Sequence, residues 1–216
     1  MVLECLRDQP KVLNEVFITE NFKHPIPSSF QNLFYKIGEK DMEKITALHS
    51  PSPALAILNS FNYQLSDINL NSGKSLYLDG IKDPGNLGAI IRIGEWFGVN
   101  SIMLSLDCVD ILNPKVVQSS MGSILRMPFI YLSQENLIST LDKLNTIIIT
   151  ASLEGENIYE AQIPENGVIC IGSESHGVSD YIKKNSHLKL NIPAAKSNKG
   201  ESLNAAVATG IILSLV

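Results

Sequence analysis

After residue 74 the sequence alternates short β-branched runs with helical segments, and this alternation constrains the fold more than any other feature. The predicted strands are SLYLD (75–79), SIMLS (101–105), PFIYL (128–132), TIIITA (146–151), GVICIG (167–172) and HLKLNI (187–192). The predicted helices cover 87–97, 113–122 and 134–144, with one starting at Ser179 and a last one at Ser202. Such alternation is typical of a parallel sheet covered by helices on both faces. The sequence therefore predicts an α/β fold.

Residues 1–71 follow a less regular pattern. The predicted helices there are VLECLRDQ (2–9), SSFQNLFYKIG (28–38) and EKDMEKITAL (39–48), and the predicted strands are EVFIT (15–19) and ALAIL (54–58). The polar segment SDINLNSGKS (66–75) is rich in Asn, Ser and Gly, and is the candidate linker. We therefore expect two domains, at 1–71 and 72–216.

Charge and cysteine content limit the functional classes. The formal net charge of −5 argues against a polyanionic partner, but residues 181–201 carry five lysines against one glutamate. That stretch suits a phosphate backbone, although a solvated lysine surface explains it equally well. Three cysteines without metal or redox spacing indicate a reducing, cytoplasmic setting. The final apolar run is too short to span a bilayer, and no secretory signal opens the chain.

The familiar nucleotide and hydrolase motifs fit poorly. DGIKDPGNLG lacks the glycine spacing of a dinucleotide fingerprint, and GSESHGVS lacks the lysine of a phosphate loop. SESHG resembles a nucleophile elbow with Ser175 as the serine, but its first glycine is missing. The available partners, Asp180 and His187, follow too closely for a triad spread over separate loops. A serine hydrolase is therefore only a minor alternative.

Three other motifs carry more chemistry. DPGNLGAIIRIGEWFGV (83–99) predicts a turn and a largely apolar helix that contains Arg92, either as an arginine fork aimed at an anion or as a surface partner of Glu95. VICIGSESHGVSD (168–180) places Glu174 in a tight loop after an apolar strand, as a site residue or as a helix cap. The last fifteen residues carry no charge, which predicts a helix packed against the sheet and another subunit.

In this order, DPGNLGAIIRIGEWFGV, IGSESHGVS and IPAAKSNKGESLNAAVA resemble the SpoU (TrmH) family of RNA ribose 2′-O-methyltransferases, in the SPOUT superfamily. NPKVVQSSMGS is also similar to the family, and the N-terminal half more faintly so. The resemblance implies a C-terminal trefoil knot, S-adenosyl-L-methionine as the cofactor, rRNA or tRNA as the substrate and an active site formed across a homodimer. It implies neither a metal nor a membrane.

The resemblance also implies which residues form the site. The catalytic set is Asn86, Arg92, Glu174, Ser202 and Asn204. The cofactor-binding set is Ala151, Ser152, Ile171, Gly172, Ile192, Pro193 and Leu203. Since a guanidinium stays protonated, we expect Arg92 to hold a phosphate and stabilise the developing alkoxide rather than to act as a base. Ser202 either orients the ribose hydroxyl with Asn204 or is a plain helix N-cap.

Three features depart from the family pattern. Gln118 stands where a basic residue is frequent, and the loop between Pro193 and Ser202 is longer than usual. The N-terminal part of the family is a ribosomal-protein-like RNA-binding domain, and residues 1–71 are expected to be that domain, starting after its first helix and strand. A protein that binds RNA without catalysis, as a scaffold on the same fold, is the alternative of a different class.

Overall fold

The computed structural model describes residues 1–48, 50–61, 63–195, 197 and 202–215. Its contacts divide the chain into two units, Met1–Asn62 and Tyr63–Val216. This division falls ahead of the expected boundary between residues 71 and 72. No helix within the described residues is long and apolar enough to cross a membrane.

The first unit contains a three-stranded sheet. Its strands are β1 (Leu13–Ile18), β2 (Phe34–Lys36) and β3 (Ala54–Leu58), and its helices are α1 (Val2–Asp8) and α2 (Glu39–Ile45). Strand β1 lies in the middle, parallel to β2 and antiparallel to β3. The helix predicted over 28–38 is wrong in its second half, where β2 forms. Tyr35 there stacks on Phe17 of β1 with ring centroids 5.7 Å apart, and such cross-strand aromatic pairs stabilise sheets.

The second unit is built on a six-stranded sheet. Its strands are β4 (Lys74–Asp79), β5 (Ile102–Leu104), β6 (Phe129–Tyr131), β7 (Ile148–Asn157), β8 (Gly167–Gly172) and β9 (Leu188–Asn191). They lie in the order β6-β5-β4-β8-β7-β9, and each neighbouring pair is parallel. The prediction of a parallel α/β sheet is confirmed.

In the described part of this unit, five α-helices accompany the sheet. They are α3 (Pro84–Trp96), α4 (Pro114–Ser119), α5 (Gln134–Leu144), α6 (Asp180–Lys184) and α7 (Ala205–Leu213). Each begins after a side chain that accepts a backbone N–H, which satisfies donors that the helix itself leaves unpaired. The last helix begins after Asn204 rather than at Ser202, so its predicted start is corrected by one turn.

The segment 66–75, predicted as a linker, belongs to the core of the second unit. Ile68 and Leu70 are buried in one cluster with Tyr77 of β4 and Leu141 of α5. Two apolar side chains at alternate positions are enough to hold this polar stretch against the sheet, because each gains by leaving water.

Strands β4 and β8 lie side by side at the centre of the sheet and pair from Lys74↔Gly167 to Asp79↔Gly172. The chain continues from β4 to β5 and β6 on one side, whereas β7 and β9 lie beyond β8 on the other. The direction of winding therefore reverses between β4 and β8. Open α/β sheets bind ligands at the carboxyl ends of the strands at such a reversal, so the loops after Asp79 and Gly172 are the candidate site.

Candidate active site

Three side chains from distant parts of the sequence form one hydrogen-bonded chain, here called the Asn86 relay. Asn86 Nδ2 donates to Glu174 Oε1, and Asn204 Nδ2 donates to Asn86 Oδ1 at 2.9 Å. Asn86 lies in the first turn of α3, Glu174 in the loop after β8, and Asn204 just before α7. The relay thus joins the three motifs identified in the sequence, and Glu174 is more than a helix cap, because its carboxylate binds another site residue.

The start of α3 fixes the position of Asn86. Asp83 caps the helix by accepting the Asn86 backbone N–H at 2.8 Å, and Pro84 occupies the first helical position, where its missing N–H has no cost. Leu87, Ile90 and other apolar side chains of α3 are fully buried. The amide of Asn86 therefore projects from a helix that the core holds in place.

A buried carboxylate that the sequence analysis missed organises the loop after β8. Asp79, at the end of β4, is 6% exposed. Its Oδ2 accepts the backbone N–H of Ser179 at 2.8 Å, its Oδ1 accepts Nε2 of Gln134 at 2.9 Å, and its carbonyl accepts the N–H of Ser173 at 3.1 Å. An aspartate that ends a wholly buried strand was the available signal. Asp79 holds both ends of the loop that carries Glu174.

The same loop explains why residue 172 is glycine. A Cβ at Gly172 would lie 1.9 Å from the carbonyl carbon of Gly177, a distance that no side chain permits. Gly177 itself has a φ of +64°, which favours glycine, and it forms an antiparallel bridge with Ser173. The loop therefore folds back over the end of β8, and Gly172 is required by this close approach.

The segment before α7 completes the arrangement. Ser202 Oγ donates to the Glu174 carbonyl at 3.3 Å. Asn204 Oδ1 accepts the backbone N–H groups of Ala206 and Val207 at 3.0 and 3.2 Å, so Asn204 is the helix N-cap. The interpretation of Ser202 as the N-cap is therefore wrong. The departure noted between Pro193 and Ser202 lies largely outside the described residues, as do Lys196 and Lys199 of the basic stretch.

A cavity of about 400 Å³ opens beside the relay, between the middle of β7, the loops after β8 and β9 and the start of α7. Of the residues implied by the resemblance, Ala151, Ser152, Ile171, Gly172, Glu174, Ile192, Ser202 and Leu203 line it. Pro193 is exposed and does not line it, while Asn86 and Asn204 line a shallower groove between α3 and α7. Most of the site residues implied by the resemblance therefore line the same cavity.

One wall of the cavity is a bulge that the sequence did not reveal. Both Ala151 and Glu156 of β7 pair with Leu190 of β9, so residues 152–155 project from the sheet. Gly155 permits this, because a Cβ there would lie 2.5 Å from the backbone of Lys189. The bulge brings Ser152 and Leu153 to the cavity, and it interrupts the pairing of β7 with β9 until Glu156.

Arg92 does not join the relay or the cavity within this chain. It lies on the exposed side of α3 and makes no hydrogen bond or ion pair that the structure shows within the described ranges. The alternative of an Arg92–Glu95 surface pair is wrong, since Arg126 holds the Glu95 carboxylate with two nitrogens. Gln118 on α4 is exposed as well.

Other titratable groups of the second unit have structural roles. Burial raises the pKa of the Tyr77 phenol and of the Cys170 thiol, so both stay neutral packing groups in the sheet. For the hydrolase alternative, the structure places the adjacent His176, not His187, against Ser175: Ser175 Oγ lies 2.7 Å from His176 Nδ1, whereas Nδ1 of His187 accepts the Ile148 backbone N–H at 3.1 Å. In the part of the chain that the structure describes, no cluster of three or more His, Cys, Asp or Glu residues is suited to a metal ion.

Comparisons with known proteins place the chain in a family. The sequence profile described as SpoU rRNA Methylase family matches residues 73–214. An uncharacterized tRNA/rRNA methyltransferase of Synechocystis sp. is 31% identical over 183 residues, covering 83% of this chain and 65% of that protein. The 23S rRNA (guanosine(2553)-2′-O)-methyltransferase RlmP of Bacillus subtilis is 26% identical over 217 residues, covering 99% and 84%.

A solved structure agrees with these relatives. The AdoMet-bound rRNA methyltransferase from Sinorhizobium meliloti matches with a TM-score of 0.87 at 24% identity, covering 99% of this chain and 82% of that one. This likeness confirms the α/β fold. Because the family profile covers most of the chain, the resemblance inferred from the three motifs is also confirmed, and the protein is a member of the SpoU rRNA methylase family.

Proposed function

We propose that this protein transfers a methyl group from S-adenosylmethionine to a ribose 2′-hydroxyl of a structured rRNA or tRNA. The observation that carries the proposal is the Asn86 relay, whose Glu174 end lines the cavity at the reversal between β4 and β8. Family membership supports RNA methylation, and the 2′-O-methyltransferase activity for which RlmP is named supports the ribose oxygen as the acceptor. The AdoMet-bound relative supports the cofactor.

The cavity fits that cofactor in size and chemistry. A volume of about 400 Å³ lies within the range of small-molecule sites. Apolar side chains such as Ile171, Ile192 and Ile212 suit an adenine ring, and the loop backbone beside them offers N–H and C=O groups to its polar edge. When bound, S-adenosylmethionine supplies an electrophilic methyl group on a sulfonium.

The relay positions the polar groups that the acceptor needs. Asn204 uses Oδ1 to cap α7 and one Nδ2 hydrogen to bind Asn86, which leaves a second Nδ2 hydrogen for the ribose oxygen. Glu174 uses Oε1 for Asn86, and Oε2 has no partner that the structure shows in its described residues. We assign Oε2 as the acceptor of the proton that the hydroxyl gives up. Ser202 holds the Glu174 backbone in place.

A second copy of the chain completes the site in this proposal. Helices α3 and α7 leave an apolar face, lined by Ala89, Ile93, Val207 and Ile211, around a shallow groove of about 590 Å³. Val207 is 51% exposed, so the charge-free terminal helix is not buried on every side by its own chain. We infer that this face pairs with its counterpart. Arg92, on the exposed side of α3, then binds a phosphate of the RNA near the other copy's cavity, with its guanidinium fork stabilising the developing alkoxide.

Two finer parts of the resemblance are proposals as well. The trefoil knot is supported by the bond from Ser202 to the Glu174 carbonyl, which holds the C-terminal segment against the loop after β8. The role of residues 1–71 as an RNA-binding domain is supported by the RlmP match, which extends over 99% of the chain.

The direct test is methyl transfer from isotopically labelled S-adenosylmethionine to total RNA, followed by mapping of ribose methylation in a deletion strain and its parent. A 2′-O-methyl group protects the adjoining phosphodiester from alkaline cleavage, because the neighbouring hydroxyl is blocked, whereas a base methyl group does not. Loss of one alkali-resistant linkage in the deletion strain is the expected result. Label confined to base positions would refute the ribose assignment.

Calorimetry with S-adenosylmethionine separates the enzyme from the alternative of a non-catalytic RNA scaffold. We expect saturable binding to the cavity, with a stoichiometry of one ligand per chain. An enzyme has to bind this cofactor, whereas a scaffold on the same fold has no need to. A protein that binds RNA but gives no heat with the cofactor would be the scaffold.

A further inference from the structure

The side chain of Lys183 lines the cavity, and the proposed reaction assigns it no role. It lies in the short helix α6 and lines the cavity together with Glu154, Glu174 and His176. Among the described residues that line this cavity, it is the only lysine or arginine. Its side chain is 30% exposed, so the cavity wall covers most of it.

The ion pair that Lys183 forms with Asp180 is weak. Its Nζ lies 3.8 Å from Asp180 Oδ1, at the limit of an ion pair, and the Asp180 side chain is 88% exposed. Exposed pairs of this kind contribute little, because water solvates both charges and the side chains lose freedom. The ammonium of Lys183 is therefore available to a ligand in the cavity.

The charges around the cavity indicate the part of the ligand that Lys183 meets. Glu154 and Glu174 make the enclosure anionic, which suits the sulfonium and the ammonium of S-adenosylmethionine. The same two carboxylates repel the carboxylate of the cofactor's amino-acid tail. A cation within the enclosure offsets that repulsion, and the described lining supplies one at position 183.

We propose that Lys183 Nζ binds the carboxylate of the amino-acid tail of the cofactor, an inference that rests on the proposed function. Residue 183 is then a binding determinant for the cofactor rather than part of the basic surface for RNA. An ammonium–carboxylate hydrogen bond in a half-enclosed site is stronger than a neutral one, and its loss is expected to weaken binding about tenfold.

The test compares two ligands and two neighbouring lysines by calorimetry. S-Adenosylhomocysteine carries the carboxylate, whereas 5′-methylthioadenosine has the same adenosine and sulfur without the amino-acid tail. Lys183→Ala should weaken S-adenosylhomocysteine about tenfold and leave 5′-methylthioadenosine unchanged. Lys184→Ala is the matched control, since Lys184 is exposed on the same helix and does not line the cavity. Lys183→Arg should retain most of the affinity.

The outcomes distinguish the inference from the function on which it rests. If the native protein binds both ligands and Lys183→Ala changes neither affinity, or changes both equally, the assignment of Lys183 is overturned while the proposed cofactor stands. If the native protein binds neither ligand, both proposals fail. Melting temperatures within a degree or two of the native protein would show that the variants are folded. A loss of RNA affinity alone would assign Lys183 to the basic surface and overturn the inference.

Discussion

Replacing Asn86 with aspartate exchanges the Nδ2 donor for an oxygen that can only accept. This removes one contact of the Asn86 relay, the hydrogen bond to Glu174. In the native chain Asn86 Nδ2 donates to Glu174, and Asn86 Oδ1 accepts from Asn204 at 2.9 Å. After Asn86→Asp the bond from Asn204 survives, because a carboxylate oxygen still accepts it. The bond to Glu174 is replaced by two carboxylates in contact.

The magnitude follows from these two changes. The lost hydrogen bond to a charged group is worth about 1.5–3 kcal/mol. Repulsion between unit charges about 4 Å apart ranges from about 1 kcal/mol in water to about 4 kcal/mol near a protein surface. Because Glu174 is exposed, solvent screening places the repulsion at the low end, and we expect a total near 3 kcal/mol. That free energy corresponds to a roughly hundredfold decrease in the equilibrium constant for assembling the site.

A second substitution should recover most of this loss. Glu174→Gln alone should have a small effect on stability, because an amide oxygen still accepts from Asn86, although it removes the proposed proton acceptor. In the double variant the new amide at position 174 donates to the new carboxylate at position 86, and Asn204 donates to the other oxygen. The free energies of the two substitutions should therefore be non-additive by about 2 kcal/mol.

The assays are the urea midpoint of unfolding, the affinity for S-adenosylmethionine by calorimetry and kcat/KM for methyl transfer, measured for both single variants and the double variant. Glu174 is also the proposed proton acceptor, so the recovery is expected in stability and cofactor affinity rather than in rate. Asn113→Asp is the matched control, because Asn113 caps α4 and aspartate caps equally well. Additive effects on both stability and cofactor affinity would show that the relay does not hold the three segments together.

Arg92→Ala and Arg92→Lys should both abolish methyl transfer and leave cofactor affinity unchanged; a fully active lysine variant would refute the bidentate phosphate contact. Val207→Asp places a charge on the apolar face of α7 and should convert a dimer to a monomer in sedimentation experiments, whereas an unchanged dimer would exclude this face. Gly88→Ala brings a methyl group to 2.0 Å from Ser119 Oγ and should destabilise by about 1–3 kcal/mol in thermal unfolding. Gly94→Ala on the same helix is the control, since its nearest neighbours lie at ordinary contact distance; equal melting temperatures for the two variants would contradict the packing of α3 on α4.

The second unit was predictable because its signals are local. Buried parallel strands have continuous apolar runs, and the predicted strands lie within a few residues of the observed bounds, except that β7 continues to Asn157 instead of ending at residue 151. The linker prediction is wrong because the segment 66–75, although polar in composition, contains two apolar side chains, Ile68 and Leu70, that pack into the core. The strand β2 was missed because its stability depends on a partner strand distant in sequence.

The site was predictable only in part, because its parts are brought together by the fold. The motifs identified Asn86, Glu174 and Asn204 separately, but no spacing in the sequence predicts that one amide bridges the other two side chains. Asp79 carried a weaker signal, since an aspartate at a strand end is common. Residue periodicity does not predict the bulge at residues 152–155, because the bulge arises from the way in which β7 pairs with β9.

Arg92 lies on α3, one of two packed helices whose apolar side chains are not all buried within one chain. The apolar character of α3 and α7 predicts burial on more sides than one chain supplies, and Ile93, Val207 and Ile211 are among the side chains left partly or fully exposed. An apolar surplus on two packed helices is best explained by a second surface that covers it. An isologous pairing of this face, as proposed above, would bring Arg92 of each copy towards its partner. In the proposed dimer, Arg92 lies outside the cavity of its own chain for the same reason that the terminal helix carries no charge, because both would lie at the interface between two copies.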